Sequence, residues 1–158
     1  MVFHGIDRLG RGLSGGTENL VARCLSIQCG FRFGDAARER LGAADAHMGI
    51  DASGRIRLSE EARENGMRPA VSYLFRSVAR HCGSRAIGIL LTGMGRDGAE
   101  ELKLMKDRGA LTVAQDADSS VVHGMPGWAI RLGAADRVLP PAGIAELLRS
   151  AVRQEEQV

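Results

Sequence analysis

The run Ala86-Ile87-Gly88-Ile89-Leu90-Leu91 is apolar almost without interruption and passes directly into Thr92-Gly93-Met94-Gly95-Arg96-Asp97-Gly98. A strand that shows no alternation of polar and apolar residues is buried on both faces, which calls for a parallel sheet covered by helices. The neighbouring segments agree with that demand. Val71, Leu74, Phe75 and Val78 fall at helical spacing and predict an amphipathic helix over Ala70–Cys82, with Pro69 just inside its start and Gly83 just past its end. After the glycine loop, a helix is predicted over Ala99–Arg108, stopped by Gly109, then a strand over Leu111–Gln115, which completes a βαβ unit. A short helix near Gly127–Leu132, a strand Arg137–Leu139 and a helix from Pro141 to about Val152 follow.

The first 66 residues are less regular, because charges break the apolar positions and eleven of the 21 glycines lie there. Helices over Thr17–Ile27 and Ala36–Leu41 are expected, and His47–Ile50 with Arg55–Leu58 reads as a hairpin turning at Asp51-Ala52-Ser53-Gly54, Gly54 taking the positive φ. The expected class is α/β: three layers, a mostly parallel sheet with helices on both faces, a β-hairpin, and a truncated or irregular N-terminal part. With 158 residues the chain has room for one domain and one core.

Composition narrows the function classes. Lys and Arg number 21 against 19 Asp and Glu, so the strongly basic balance of a phosphate-tracking nucleic-acid binder is absent. Cys24, Cys29 and Cys82 form no CxxC pair, which favours reduced, buried thiols over a disulfide framework or a four-ligand zinc site. No stretch has membrane-spanning length and Met1–Gly10 lacks a signal-peptide core, so membrane insertion is not expected and a cytoplasmic location is.

The glycine loop admits several readings. Gly93-Met94-Gly95-Arg96-Asp97-Gly98 has the spacing GxGxxG between strand and helix, and Asp116 follows eighteen residues later, as in a dinucleotide fingerprint. Only about 60 residues remain beyond it, however, and the fingerprint normally sits on the first strand of its fold. A plain tight turn is the structural alternative. Chemistry offers a third. Asp97, at the carboxyl edge of a buried strand, is placed to orient a histidine, and the backbone N–H of Met94 could stabilise an oxyanion. A nucleophile is available in Gly12-Leu13-Ser14-Gly15-Gly16, where Ser14 stands among glycines ahead of a candidate helix.

Taken together, Arg68-Pro69-Ala70-Val71, Leu74-Phe75, Gly88–Leu91 running into Thr92–Ala99, Ala114-Gln115 and Ser120-Val121-Val122-His123-Gly124-Met125-Pro126 resemble, in order and without a gap, the catalytic domain of the CheB-type chemotaxis protein-glutamate methylesterases. The resemblance covers residues 67–152, while residues 1–66 are a degenerate version of the pattern. It implies an α/β esterase that hydrolyses glutamate γ-methyl esters on chemoreceptors and deamidates some receptor glutamines, with no cofactor or metal. The implied partners are methyl-accepting receptors, with no nucleic acid and no membrane insertion, and the oligomeric state stays open. On this pattern Asp97 matches the triad aspartate, the Met94 backbone part of the oxyanion hole, and Ser14 the nucleophile, although strict register from Gly15-Gly16 puts Leu13 there.

The interval Glu18–Ala46, where the family's triad histidine would lie, contains no histidine. His47 matches a family histidine that is not the triad base and His123 stands where an apolar or aromatic residue is common, and both are candidate substitutes. The expectation is a stand-alone methylesterase domain without a receiver domain. Two alternatives stay open: a catalytically silent relative that binds receptors, and a nucleotide-binding domain.

Overall fold

The computed structural model describes residues 46–155. The helices expected at 17–27 and 36–41, the nucleophile loop with Leu13 and Ser14, Cys24 and Cys29 lie outside these residues. The described part opens with β1 (His47–Ile50) and β2 (Ile56–Ser59), an antiparallel hairpin in the register His47 to Ser59 and Ile50 to Ile56. Its second strand starts one residue later than the spacing predicts, because the Asp51 N–H donates to the Arg55 carbonyl at 3.0 Å and draws Arg55 into the turn. Asp51 holds that turn. One of its carboxylate oxygens accepts from the Ser53 hydroxyl (2.6 Å) and from the Ser53 and Arg55 amides (2.9 and 3.0 Å), while Gly54 adopts the expected left-handed φ of 76°.

Helix α1 (Val71–His81) buries Val71, Ser72, Leu74, Phe75, Val78 and Ala79, the face that the apolar spacing marks. Pro69 is not inside this helix. It lies one residue ahead of the cap residue Ala70, whose own side chain makes no capping hydrogen bond, and the first-turn amides are served from another part of the chain. Beyond Cys82, Gly83 turns left-handed at φ 54° and opens a 3₁₀ turn, Gly83–Arg85.

Strand β3 (Ile87–Leu90), helix α2 (Ala99–Asp107), strand β4 (Leu111–Gln115), helix α3 (Met125–Arg131), strand β5 (Arg137–Leu139) and helix α4 (Pro141–Glu155) complete the described chain. The three strands form one parallel sheet in the order β3-β4-β5. Successive crossovers in the same direction along the sheet put α2 and α3 on one face, where they pack on each other. Gly88 and Leu90 point to that face: a Cβ on Gly88 would stand 2.7 Å from Leu102 Cδ1. Ile89 and its register partner Val113 point the other way and are buried too, and α4 packs on β4 and β5. The α/β class, the parallel sheet and the separate hairpin thus stand as expected.

Helix α3 begins two residues ahead of the expected start. Pro126 is at home in a first helical turn, and the Met125 N–H donates to the Gly93 carbonyl at 2.9 Å, so the helix is anchored there before Gly127 is reached. The core runs through Phe75, Leu90, Leu102, Met105, Val113 and Met125, and it joins the hairpin to the sheet through Ile50. Among the described residues no helix is long and apolar enough to cross a membrane.

Candidate functional site

Parallel strands deliver their following loops to one edge, and here the loops after β3 and β4 are knitted together. The Gly93 N–H donates to the Val122 carbonyl (3.0 Å), and the Thr92 hydroxyl lies 2.9 Å from the Val122 nitrogen and 3.1 Å from its carbonyl. Gly93 and His123 pair as an isolated parallel bridge. Gln115, a buried polar side chain at the end of β4, braces both loops: its Oε1 accepts from the Thr92 N–H (2.9 Å), and its Nε2 donates to the Ser119 carbonyl (2.9 Å) and hydroxyl (3.0 Å). Nothing in local spacing reveals this brace. Its one trace in the sequence is an amide side chain ending an otherwise apolar strand.

Met94 rides on this edge with 85% of its surface exposed, and among the described residues nothing accepts a hydrogen bond from its N–H. An amide without a partner at the carboxyl end of a sheet has its donor left for a developing oxyanion. Asp97, three residues on, is the reverse: 4% exposed and hydrogen-bonded through both oxygens. Its carboxylate accepts from the Val71 N–H at 2.7 Å and from the Ser72 N–H at 3.1 Å, so it caps α1 from the neighbouring loop and meets the positive end of that helix's dipole. Each oxygen keeps one further acceptor position. Gly98 follows at φ 78°, with Val71 Cγ1 only 2.4 Å from where a Cβ would stand. Glycine lets the loop close on α1.

The two candidate histidines lie in different places. His47 is fully buried at the start of β1, stacked on Tyr73 with ring centroids 4.7 Å apart. Its Nδ1 accepts from the Ala70 N–H (3.2 Å), which makes Nε2 the protonated nitrogen, donating to the Ala62 carbonyl (3.0 Å). In this arrangement neither nitrogen is left to take a proton from a substrate or a serine. His123 is half-buried on the loop edge itself, and its Nε2 lies 3.3 Å from the Gln115 carbonyl. Donation there leaves the lone pair on Nδ1. The neighbouring Asp116 is held below the ordinary carboxylate range first by the Ser119 hydroxyl and then by the Ser119 amide.

Exposed Val121 and Val122 flank the edge, and Trp128 on α3 carries the Arg131 guanidinium 4.3 Å from its ring centroid. The structure thus brings Met94, Asp97 and His123 onto two adjoining loops and leaves His47 in the hairpin, bonded to the cap residue of α1.

The order of these parts has counterparts in known proteins. The CheB methylesterase family profile matches residues 39–148, well over half of the chain. The chain belongs to the CheB methylesterase family. A protein-glutamate methylesterase/protein-glutamine glutaminase of Syntrophus aciditrophicus is 59% identical over 102 residues, which are 65% of this chain and 29% of that protein. One of Nitrosospira multiformis is 56% identical over 107 residues, 68% of this chain and 30% of that protein. The chain therefore spans about a third of the length of these relatives. Among solved structures, the CheB methylesterase catalytic domain of Thermotoga maritima matches with a TM-score of 0.64 and 36% identity, over 73% of this chain and 59% of that one.

Proposed function

We propose that this CheB-family chain acts in hydrolysis of glutamate γ-methyl esters on chemoreceptors, with deamidation of receptor glutamines as a companion activity. The observation that carries the reading is the pairing, on one sheet edge, of a Met94 amide that has no partner among the described residues with a buried carboxylate, Asp97, within the segment that the family profile covers. In the proposed chemistry the Ser14 hydroxyl attacks the ester carbonyl, an imidazole takes its proton and returns it to the departing methoxide, water then cleaves the acyl-serine to free the glutamate and restore Ser14, and the Met94 N–H stabilises the oxyanion in both steps. Asp97 orients the imidazole through an acceptor position that α1 does not use. His123 is the substitute base we favour, since it stands on the edge loop with Nδ1 as its acceptor.

The test is methanol release from membranes carrying receptor methylated with radiolabelled methyl groups. Release that disappears in Ser14→Ala and in His123→Ala, both shown by melting to be folded, supports the proposal. A second reading, a silent relative that binds receptors, draws on the engagement of both His47 nitrogens and on the absence of histidine from 18–46. It predicts co-sedimentation with receptor membranes and no methanol. The nucleotide reading finds little support, because a pyrophosphate on the α2 N-terminus would meet the buried Asp97 carboxylate, and Gly98 is already packed on Val71.

A further inference from the structure

Ser72 is a buried hydroxyl, 3% exposed, that the proposed hydrolysis does not itself use. It lies in the first turn of α1 and touches the Asp97 loop at two points. Its N–H donates to Asp97 Oδ1 at 3.1 Å, and its Oγ accepts from the Gly98 N–H at 3.0 Å. The single hydroxyl proton is spent elsewhere, on Glu101 Oε2 at 2.8 Å. Glu101 is held in turn by Arg76, whose guanidinium lies 3.3 Å from its Oε1 and also pairs with Glu64. A continuous set of polar contacts thus leads from the α1 surface to the residue pair Asp97-Gly98.

These contacts do more than fill hydrogen-bonding capacity. Gly98 holds a left-handed φ, and the direction of its N–H fixes the peptide plane that it shares with Asp97. With an acceptor on that N–H and a donor on Oδ1, both supplied by Ser72, the backbone and the carboxylate of Asp97 are referred to the same rigid helix end. We infer that Ser72, with its hydroxyl oriented by Glu101, is a positioning residue that fixes the orientation of the Asp97 carboxylate. This rests on the reading of Asp97 as the acid of the site, but its physical content is independent of turnover.

The experiment uses the full chain and the substitutions Ser72→Ala and Ser72→Thr. In Ser72→Ala the Gly98 amide loses its acceptor, so its hydrogen exchange should accelerate about tenfold relative to the Val113 amide in β4, and the Asp97 carboxyl carbon resonance should move. Methanol release should show kcat lowered about tenfold with KM unchanged. Ser72→Thr, which keeps the hydroxyl, should restore all three. The inference is overturned if Gly98 exchange rises only in step with Val113, if the Asp97 resonance stays in place, or if the threonine variant behaves like the alanine one. Should the unsubstituted protein release no methanol, the esterase reading fails, and the Gly98 and Asp97 signals still decide the role of Ser72.

Discussion

A methyl group on Gly124 would stand 2.6 Å from the Gly93 carbonyl oxygen and 2.9 Å from the Gly95 nitrogen, backbone atoms that cannot swing aside. The φ of Gly124 is an ordinary −80°, so the demand for glycine is purely steric. Gly124→Ala should therefore cost about 1–3 kcal/mol by forced repacking. In urea melts the midpoint should fall, and the amide resonances of Gly93 and Gly95 should move; an unchanged midpoint with unmoved resonances would contradict the close approach. His47 makes the opposite case, a polar ring needed for structure. His47→Phe keeps a ring against Tyr73 but leaves the Ala70 N–H without its acceptor, and thermal melting should register a loss of about 1–3 kcal/mol. Motif position picks out Asp97 in the sequence, at the carboxyl edge of a buried strand, whereas His123, like His47, enters only as a substitute for the histidine missing from 18–46. The motif gives no hint that Asp97 bonds Val71 and Ser72, since partners some 26 residues apart share no local pattern.

Helix α1 starts without a cap of its own, and Asp97 supplies one from across the loop. Removal of that carboxylate in Asp97→Ala should fray the first turn and lower stability by about 1–2 kcal/mol, read as faster hydrogen exchange at Val71 and Ser72. Loss of activity in this variant would mix two causes, which is why the serine and histidine substitutions are the sharper tests of hydrolysis. Strand β5 is tied to β4 by a second carboxylate. Burial works against the ionisation of Asp136, but the Thr112 amide (3.0 Å) and hydroxyl (2.9 Å) and the Lys106 ammonium (3.1 Å) outweigh it and hold the carboxyl below its ordinary range. The unfolded chain then binds protons more readily than the folded one at acid pH, so stability is complete above about pH 4 and is lost as pH falls through the lower folded value. Asp51 contributes in the same direction, held low first by the Ser53 hydroxyl. Urea midpoints taken from about pH 5 to pH 2 should decline, and Asp136→Asn should flatten that slope. The bounds of β4 and β5 are legible in the sequence, whereas β2 and α3 shift because Asp51 and the Gly93 carbonyl fix their starts through contacts that no periodicity encodes.

The hairpin and the parallel sheet share no strand pairing, yet one buried cluster runs from Ile50 through Phe75 and Leu90 to Ile144. Helix α1 is the joint: β1 lies close enough that a Cβ on Gly49 would reach 2.9 Å from Tyr73 Cε1, while Val71 on the same helix packs against Gly98 at the start of α2. Periodicity shows that α1 is amphipathic but not that two separate sheets use it. A shared core predicts shared unfolding. The chain has one tyrosine and one tryptophan, Tyr73 between the hairpin and α1 and Trp128 on α3, so each reports its own side of the joint. Urea unfolding followed by tyrosine and by tryptophan signals should give coincident midpoints, as a single cooperative unit requires. Phe75→Leu, at a position 1% exposed, should cost about 1 kcal/mol and move both midpoints together. Midpoints that separate, with tyrosine changing first, would show the hairpin to be held independently of the sheet. His47 and the helix start that Asp97 caps would then belong to a weaker unit than the loops carrying Met94 and His123, and the edge could not act as one rigid site.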